Sequence, residues 1–355
     1  MSTDCKIEKT LFGNGPNGEN VHCYTLARKK GLIAKVIDFG GILTELHVPD
    51  ANGNYTDVVL GFDNVGSYLE ENIYAGAIVG RTAGRITNGR FKINNKTYLL
   101  PQNEGTTHLH GGKEGFDKKL WDAEIVKMEG HEALKLSYYS LDGEEGYPGN
   151  VHITVTYSLT SDNGIRIDFE ARTDRTTPLC PTSHAYFNLG GEGSGDILGH
   201  ILQINSDEII EVNQKFLPTG RIKKTVVGQN DYRNPVPVSQ MVLRGKGHVH
   251  GGMYLLKGNK GILTKVASLS EPKSGRTMYV YTTAPYLQLY TGSFLNTVSK
   301  GKSGETYGKF AGMCMECQGF SDALNHNGFE SILVHPNKPF WQTVEYRFNN
   351  HDLNI

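Results

Sequence analysis

The chain has 355 residues, with 36 Lys plus Arg against 37 Asp plus Glu and a formal net charge of −1 at pH 7. That balance leaves no electrostatic footprint for nucleic acid or an anionic membrane, so the expected partner is a neutral small molecule. Glycine is abundant at 43 residues, against a usual share near ~7%, and 18 tyrosines with 14 phenylalanines add strand formers. Five cysteines, an odd number in a long chain, argue against a disulfide scaffold and for a reducing, cytoplasmic setting. Cys314-Met315-Glu316-Cys317 is formally a CxxC, yet it lacks the second pair of a zinc site and the βαβ setting of a redox motif. No apolar signal segment follows Met1, and no stretch approaches the ~20 apolar residues of a membrane span.

In chain order, the pattern predicts strands at 22–28, 32–39 and 42–48, the turn signal Asn52-Gly53, and a fourth strand at 57–62. A short helix is expected over 67–80, with Ser67 as cap and Glu70 three residues on. Segments 91–93 and 97–100 flank Asn94-Asn95 as a hairpin. Val151, Ile153, Val155, Tyr157 and Leu159 alternate with polar residues, and after Asp162-Asn163-Gly164 the alternation resumes through Ile165, Ile167, Phe169 and Ala171. A period of two on both sides of an Asn-Gly turn predicts a hairpin with one buried face and one wet one. Further strands are expected near 201–204, 262–270, 277–283, 287–290, 312–317, 331–334 and 343–348. Helical periodicity is nearly absent, and neither a fixed repeat nor a long linker divides the chain. Residues 1–355 therefore read as one all-β domain, a large antiparallel β-sandwich.

Five stretches crowd polar residues among glycines and aromatics. Pro181 to Gly191 carries Ser183, His184, Tyr186 and Asn188 on both faces of one short segment, where buried polar atoms need partners. Gly80 to Ile86 places Arg81 and Arg85 among small residues that permit close backbone approach. Thr107 to Gly112 is expected to put His108 and His110 on the same side of a strand. Tyr286 to Gly292 offers the Gln288 amide between aromatics, and Gly312 to Phe320 embeds Glu316 in an apolar run. Desolvation there raises the carboxyl pKa towards the range of a general base. The competing structural readings are a core histidine bonded to a carbonyl, arginines in surface salt bridges, and Glu316 in a buried ion pair.

Several of these motifs resemble the galactose mutarotase (aldose 1-epimerase) family: His184-Ala185-Tyr186-Phe187-Asn188-Leu189-Gly190-Gly191, Leu109-His110-Gly111-Gly112 with Gly115-Phe116-Asp117-Lys118 and Trp121, Gln288 to Gly292, and Glu316-Cys317-Gln318-Gly319. The resemblance follows the family's order from about Gly61 to the C-terminus. It implies a single-domain β-sandwich of the galactose-mutarotase type that holds a hexose in a cleft on one sheet, without metal or nucleotide cofactor, as a monomer or weak homodimer. By the same likeness Glu316 takes the proton of the anomeric hydroxyl and His184 gives one to the ring oxygen. Arg85, His110 and Gln288 contact the sugar, and aromatics such as Tyr186 wall its apolar face. Two departures stand out. Gly84 stands where the family often has an Asn before the second arginine, and the segment from Gly247 to Tyr254 lacks the family's usual sugar-binding Asp, so either His248 or His250 replaces it or hydroxyl recognition differs.

Three other readings compete. His108, His110 and Glu114 match the ligand spacing of a metal-dependent cupin barrel. A non-catalytic sugar-binding module would use the same sandwich. A hexose 6-phosphate epimerase would clamp phosphate with cations such as Arg81, Arg85 and Lys118.

Overall fold

The computed structural model describes residues 4–29, 31–244, 251–258 and 261–349. Strict alternation produces the hairpin of Val151–Leu159 and Gly164–Thr173, with Asn163 in the left-handed region at the turn (φ 56°). Among the described residues this hairpin lies inside a nine-stranded antiparallel sheet. On one side follow His131–Ser140 and Asp122–Met128; on the other come Phe340–Asn349, Arg276–Thr282, Thr264–Glu271, Ile201–Ile204 and Val236–Pro237. A six-stranded sheet runs in the order Tyr186–Phe187, Met313–Gln318, Tyr286–Tyr290, Gly251–Leu255, Glu208–Val212 and Pro218–Lys224. A five-stranded meander takes Cys5–Asn14, Asn20–Arg28, Ile33–Ile37, Leu43–Pro49 and Tyr55–Asp57 in sequence order. One continuous apolar core draws Leu26 and Leu46 from the meander, Ile153 and Val344 from the large sheet, and Leu287 and Met315 from the six-stranded sheet. The antiparallel β-sandwich expected from the sequence is the architecture found.

Several local expectations need correction. The helix is a single short one, Val65–Glu70, and its cap is Asn64, whose side chain accepts from the Ser67 amide at 2.9 Å. Beyond Glu71 the chain enters left-handed backbone at Tyr74 (φ 58°) and Gly76 (φ 70°), which no helix accommodates. The strand expected over 57–62 stops at Asp57, where the carboxylate caps the Leu46 and Val59 amides and draws the backbone out of the ladder. The second face of the central hairpin is only partly wet, since Thr154 and Ser158 are buried. Cys5–Asn14, Asp122–Met128, His131–Ser140, Glu208–Val212, Pro218–Lys224 and Gly251–Leu255 carry no strand expectation, nor does Val238–Arg244, a helix. Asp122–Met128 and Pro218–Lys224 lie at sheet edges and are largely exposed, so charged residues blunt the apolar alternation that marks an interior strand.

Arg81 is a structural clamp. Its buried guanidinium donates to Ser140 Oγ at 2.8 Å, to the carbonyls of Ser140, Leu141 and Pro148 at 2.8–3.1 Å, and to Thr177 Oγ1 at 3.3 Å. Removing the donor strands these acceptors in a desolvated site. Arg81→Leu is expected to lower unfolding stability by about 3 kcal/mol. Urea denaturation measures this directly.

Candidate active site

The strand Met313–Gln318 is buried at every position. Its pleat sends Met313, Met315 and Cys317 into the main core, which puts Cys314, Glu316 and Gln318 on the opposite face. Cross-strand register sets Glu316 opposite Gln288, and Gln288 opposite Met253. These residues, with Tyr74, Arg85, His110 and His184, line a cleft of about 250 Å³.

His184 arrives from the short strand Thr182–Ser183, which pairs with Ile78–Val79, and its own amide is bonded to the Ala77 carbonyl at 2.9 Å. Its ring Nε2 lies 3.8 Å from Glu316 Oε1, and its Nδ1 lies 3.5 Å from Cys314 Sγ. Both groups are fully buried, and burial pushes each toward its neutral form. The Glu316 carboxyl rises to about 8, partly offset by the positive charge of Arg85. The His184 imidazole falls to about 4. Glu316 Oε2 has no hydrogen-bond partner among the described residues. A buried carboxylate with an open acceptor beside an imidazole is arranged to exchange protons with a ligand.

His110 is placed by its backbone. Left-handed geometry (φ 51°) ends the strand His108–Leu109, and Gly111 follows at φ 90°, where a Cβ would sit 1.7 Å from the Gly80 carbonyl oxygen. The two histidines therefore do not share a side, contrary to the sequence expectation. His108 is bonded through Nδ1 to the Pro101 carbonyl and through Nε2 to the Tyr147 hydroxyl, both at 2.8 Å. His110 turns into the cleft, 5.2 Å and edge-on from His184. The Gly84 amide donates to His110 Nδ1 at 3.1 Å, so the neutral ring carries its proton on Nε2. The donor is the main-chain amide of residue 84, so the tautomer of His110 is set by backbone position.

The cupin ligand set is not assembled, because His108 is spent on structural bonds and the Glu114 side chain is 73% exposed, facing Lys119. His110, His184 and Glu316 do bring ligand atoms within 4.8 Å of one another. A two-histidine, one-carboxylate set of that kind fits a transition metal by composition. The Gly84 amide on His110 Nδ1 opposes it, since a ring held as an Nε2–H donor offers its proton, not a lone pair, to the cleft.

Arg85 reaches the cleft already paired, donating to both oxygens of Glu104 at 2.6 and 2.5 Å. Gln288 anchors its amide nitrogen on the Leu289 carbonyl at 2.7 Å, leaving its oxygen for the cleft. Tyr186 gives its hydroxyl to the Ile73 carbonyl at 3.0 Å and presents its ring 5.0 Å from His184, so it acts as a wall. His248 and His250 lie outside the described residues. In the neighbouring described strand it is Met253 that lines the cleft. Sequence reasoning missed Tyr74, whose ring lies 4.7 Å from His110 and 5.9 Å from His184, and Glu104, which holds Arg85. Tyr74 sits in the stretch expected to be helical, and Glu104 in a polar turn without a motif.

Comparison with known proteins agrees with this geometry. The family profile described as aldose 1-epimerase matches residues 22–347. Galactose mutarotase of Rattus norvegicus is 39% identical over 346 residues, covering 97% of this chain and 98% of its own. Aldose 1-epimerase of Escherichia coli is 33% identical over 343 residues, covering 94% and 96%. Among solved structures, galactose 1-epimerase of Lactobacillus acidophilus aligns with a TM-score of 0.83 at 28% identity, covering 97% of this chain and 98% of that one. Fold and relatives together define an isomerase on a galactose-mutarotase β-sandwich. The chain belongs to the aldose 1-epimerase family.

Burying Glu316 has a measurable cost. Its carboxyl keeps a proton up to about pH 8 in the folded chain, whereas the unfolded chain releases it near the ordinary value of 4.5. Folding stability therefore falls as pH rises through that window. Glu316→Gln is expected to melt higher than the parent at pH 8, by on the order of 2–4 kcal/mol. The gain should vanish below pH 4.5, and thermal unfolding across the pH range checks it.

Proposed function

We propose that the cleft interconverts the α and β anomers of free, unphosphorylated hexoses, with Glu316 as general base and His184 as general acid. The observation that carries this reading is the buried pair at 3.8 Å, whose affinities for protons are shifted in opposite directions by burial. Between about pH 4 and pH 8 the pair holds a single exchangeable proton, which rests on Glu316 in the empty site. Reaction needs the other arrangement, carboxylate beside imidazolium, and the positive charge of Arg85 favours the carboxylate.

From that state Glu316 takes the proton of the anomeric hydroxyl as the C1–O5 bond breaks, and His184 Nε2 delivers its proton to O5. The open aldehyde rotates about C1–C2. Closure on the other face returns both protons, so no net proton is consumed. His110 offers its Nε2–H, Gln288 its amide oxygen and Arg85 its charge to the sugar hydroxyls, while Tyr74 and Tyr186 supply ring surfaces. A module that only binds sugar gains nothing from an unpartnered buried carboxylate oxygen, which costs desolvation energy.

Phosphorylated hexoses fit poorly. Arg81 is consumed by the fold, and Lys118 is bonded to Asp117 at 2.9 Å and lies over the Tyr74 ring. Arg85 is matched by Glu104 within the same cleft wall. A dianion would meet no uncommitted cation among the described lining residues.

Polarimetry of freshly dissolved α-D-galactose and α-D-glucose tests the reading. The parent protein should accelerate mutarotation, and His184→Ala and Glu316→Gln should each lower kcat by ~10²–10⁴. No acceleration with either sugar would sink it. The pH profile of kcat/KM is expected to be bell-shaped, failing above about 8 where the acid's proton is lost and below about 4 where the base is protonated. Galactose 6-phosphate should turn over at least ~10-fold less efficiently than galactose, a loss of the size expected where one charged partner goes unmatched.

A further inference from the structure

We propose that Cys314 is the positioning residue of the acid: its thiol donates to Nδ1 of His184 and thereby fixes Nε2 as the nitrogen that holds the proton facing the sugar. This rests on the reading of His184 as the acid of an epimerase.

The sulfur lies 3.5 Å from Nδ1, a hydrogen-bonding distance for sulfur, and it cannot drift. Cys314 is fully buried, and its backbone is paired with Tyr186 on one side and Tyr290 on the other. The direction of the bond follows from both partners' protonation. Burial holds the thiol well above its ordinary range, so the sulfur keeps its hydrogen. Burial also holds the imidazole neutral, which leaves a lone pair on one nitrogen only. The S–H meets that lone pair at Nδ1, and the ring hydrogen must then sit on Nε2, the atom facing Glu316.

Besides the thiol, the ring has its own backbone carbonyl within hydrogen-bonding reach, an acceptor that favours the opposite tautomer, and the thiol also has the Tyr186 hydroxyl beside it. The other groups facing the ring leave Nδ1 alone. Glu316 stands at Nε2, His110 is edge-on, and Tyr74, Tyr186 and Tyr290 contribute ring contacts at 5.9, 5.0 and 6.5 Å. Arg85 and Lys118 act on His110 and none of these groups sets a carboxylate on Nδ1.

A thiol suits this position for a chemical reason. A carboxylate at Nδ1 could only accept, so it would hold the proton on Nδ1 and leave Nε2 bare in the resting ring, and it would also stabilise the imidazolium and weaken it as an acid. In the reactive imidazolium the second ring proton sits on Nδ1, gained by exchange through the open cleft because Nε2 is already protonated, and the sulfur facing it is a weak acceptor that does little to hold it. The ring oxygen of a hemiacetal is a poor base, and a stronger acid serves it better. Cys314 therefore selects the tautomer in the resting site without making the histidine a stronger base.

Long-range ¹H–¹⁵N spectra of histidine-labelled protein read the tautomer directly, with the His184 signals identified by their loss in His184→Gln. The parent protein should show Nδ1 unprotonated and Nε2 protonated. Cys314→Ala should populate both tautomers and lower kcat by ~10-fold with KM within about twofold, the pattern of a group that acts on the transition state and not on ground-state binding. Cys314→Ser, whose hydroxyl donates to the same lone pair, should restore both the tautomer and most of kcat. A parent spectrum with the proton on Nδ1 would overturn the proposal, as would a Cys314→Ala enzyme with the parent's tautomer and kcat. Should Cys314→Ala fail to fold, the parent and Cys314→Ser spectra still decide. The spectra need no turnover, so a parent protein without mutarotation sinks the epimerase reading, whereas an Nδ1–H spectrum sinks only this one.

Discussion

The site depends on one carboxylate being kept out of water. Glu316 sits at the fourth position of a strand buried at every residue, hydrogen-bonded on both sides to Tyr186–Phe187 and Tyr286–Tyr290. Such a strand normally carries apolar side chains on both faces. Here one face does so through Met313, Met315 and Cys317, while the other packs Cys314 into a smaller apolar cluster and carries the polar Glu316 and Gln318 beside it. The desolvation that results would be expensive for an idle acid. In the proposed role as base the same desolvation is the source of reactivity, because the minor form in which Glu316 has given up its proton is a much stronger base than an ordinary carboxylate.

Around that carboxylate the backbone decides what each histidine can do. His108 and His110 are two residues apart, yet left-handed geometry at His110 separates a structural ring from one that faces ligand. The Gly84 amide then turns His110 into a donor, and the same logic reappears at His184, where the second nitrogen is occupied by Cys314. In each case the ring nitrogen that faces the cleft is set by what binds the opposite side of the ring. Such selection requires a stiff frame, and the amides of Gly76, His110 and His184 are all tied into neighbouring segments.

How much of this was legible in the sequence follows from range. The central hairpin is local, a period of two around Asn163, and it emerged with its register intact. Glu316 and His184 were legible because an acid in an apolar run and a histidine among hydroxyls and aromatics are anomalies within a few residues, and because their motifs resemble a known family. Edge strands such as Asp122–Met128 were not, since exposure removes the alternation that the period detects. Tyr74 was hidden for a related reason: its approach to His110 depends on positive φ after a short helix, and nothing in the side-chain pattern announces a tyrosine with left-handed backbone. Glu104 joins Arg85 across 19 residues, and the separation of His108 from His110 turns on a single dihedral. Neither leaves a periodic trace.

Charge management completes the argument about what the cleft accepts. The cations that its motifs advertise are all spent before a ligand arrives: Arg81 on carbonyls within the fold, Lys118 on Asp117, and Arg85 on both oxygens of Glu104. What remains open is a set of neutral or neutralised groups, among them an imidazole N–H, an amide oxygen and aromatic faces. Such a surface recognises a molecule by the directions of its hydroxyls and by its flat apolar face. Glu104 answers the guanidinium of Arg85, so the charge that lowers the Glu316 carboxyl is itself paired, and burial outweighs it.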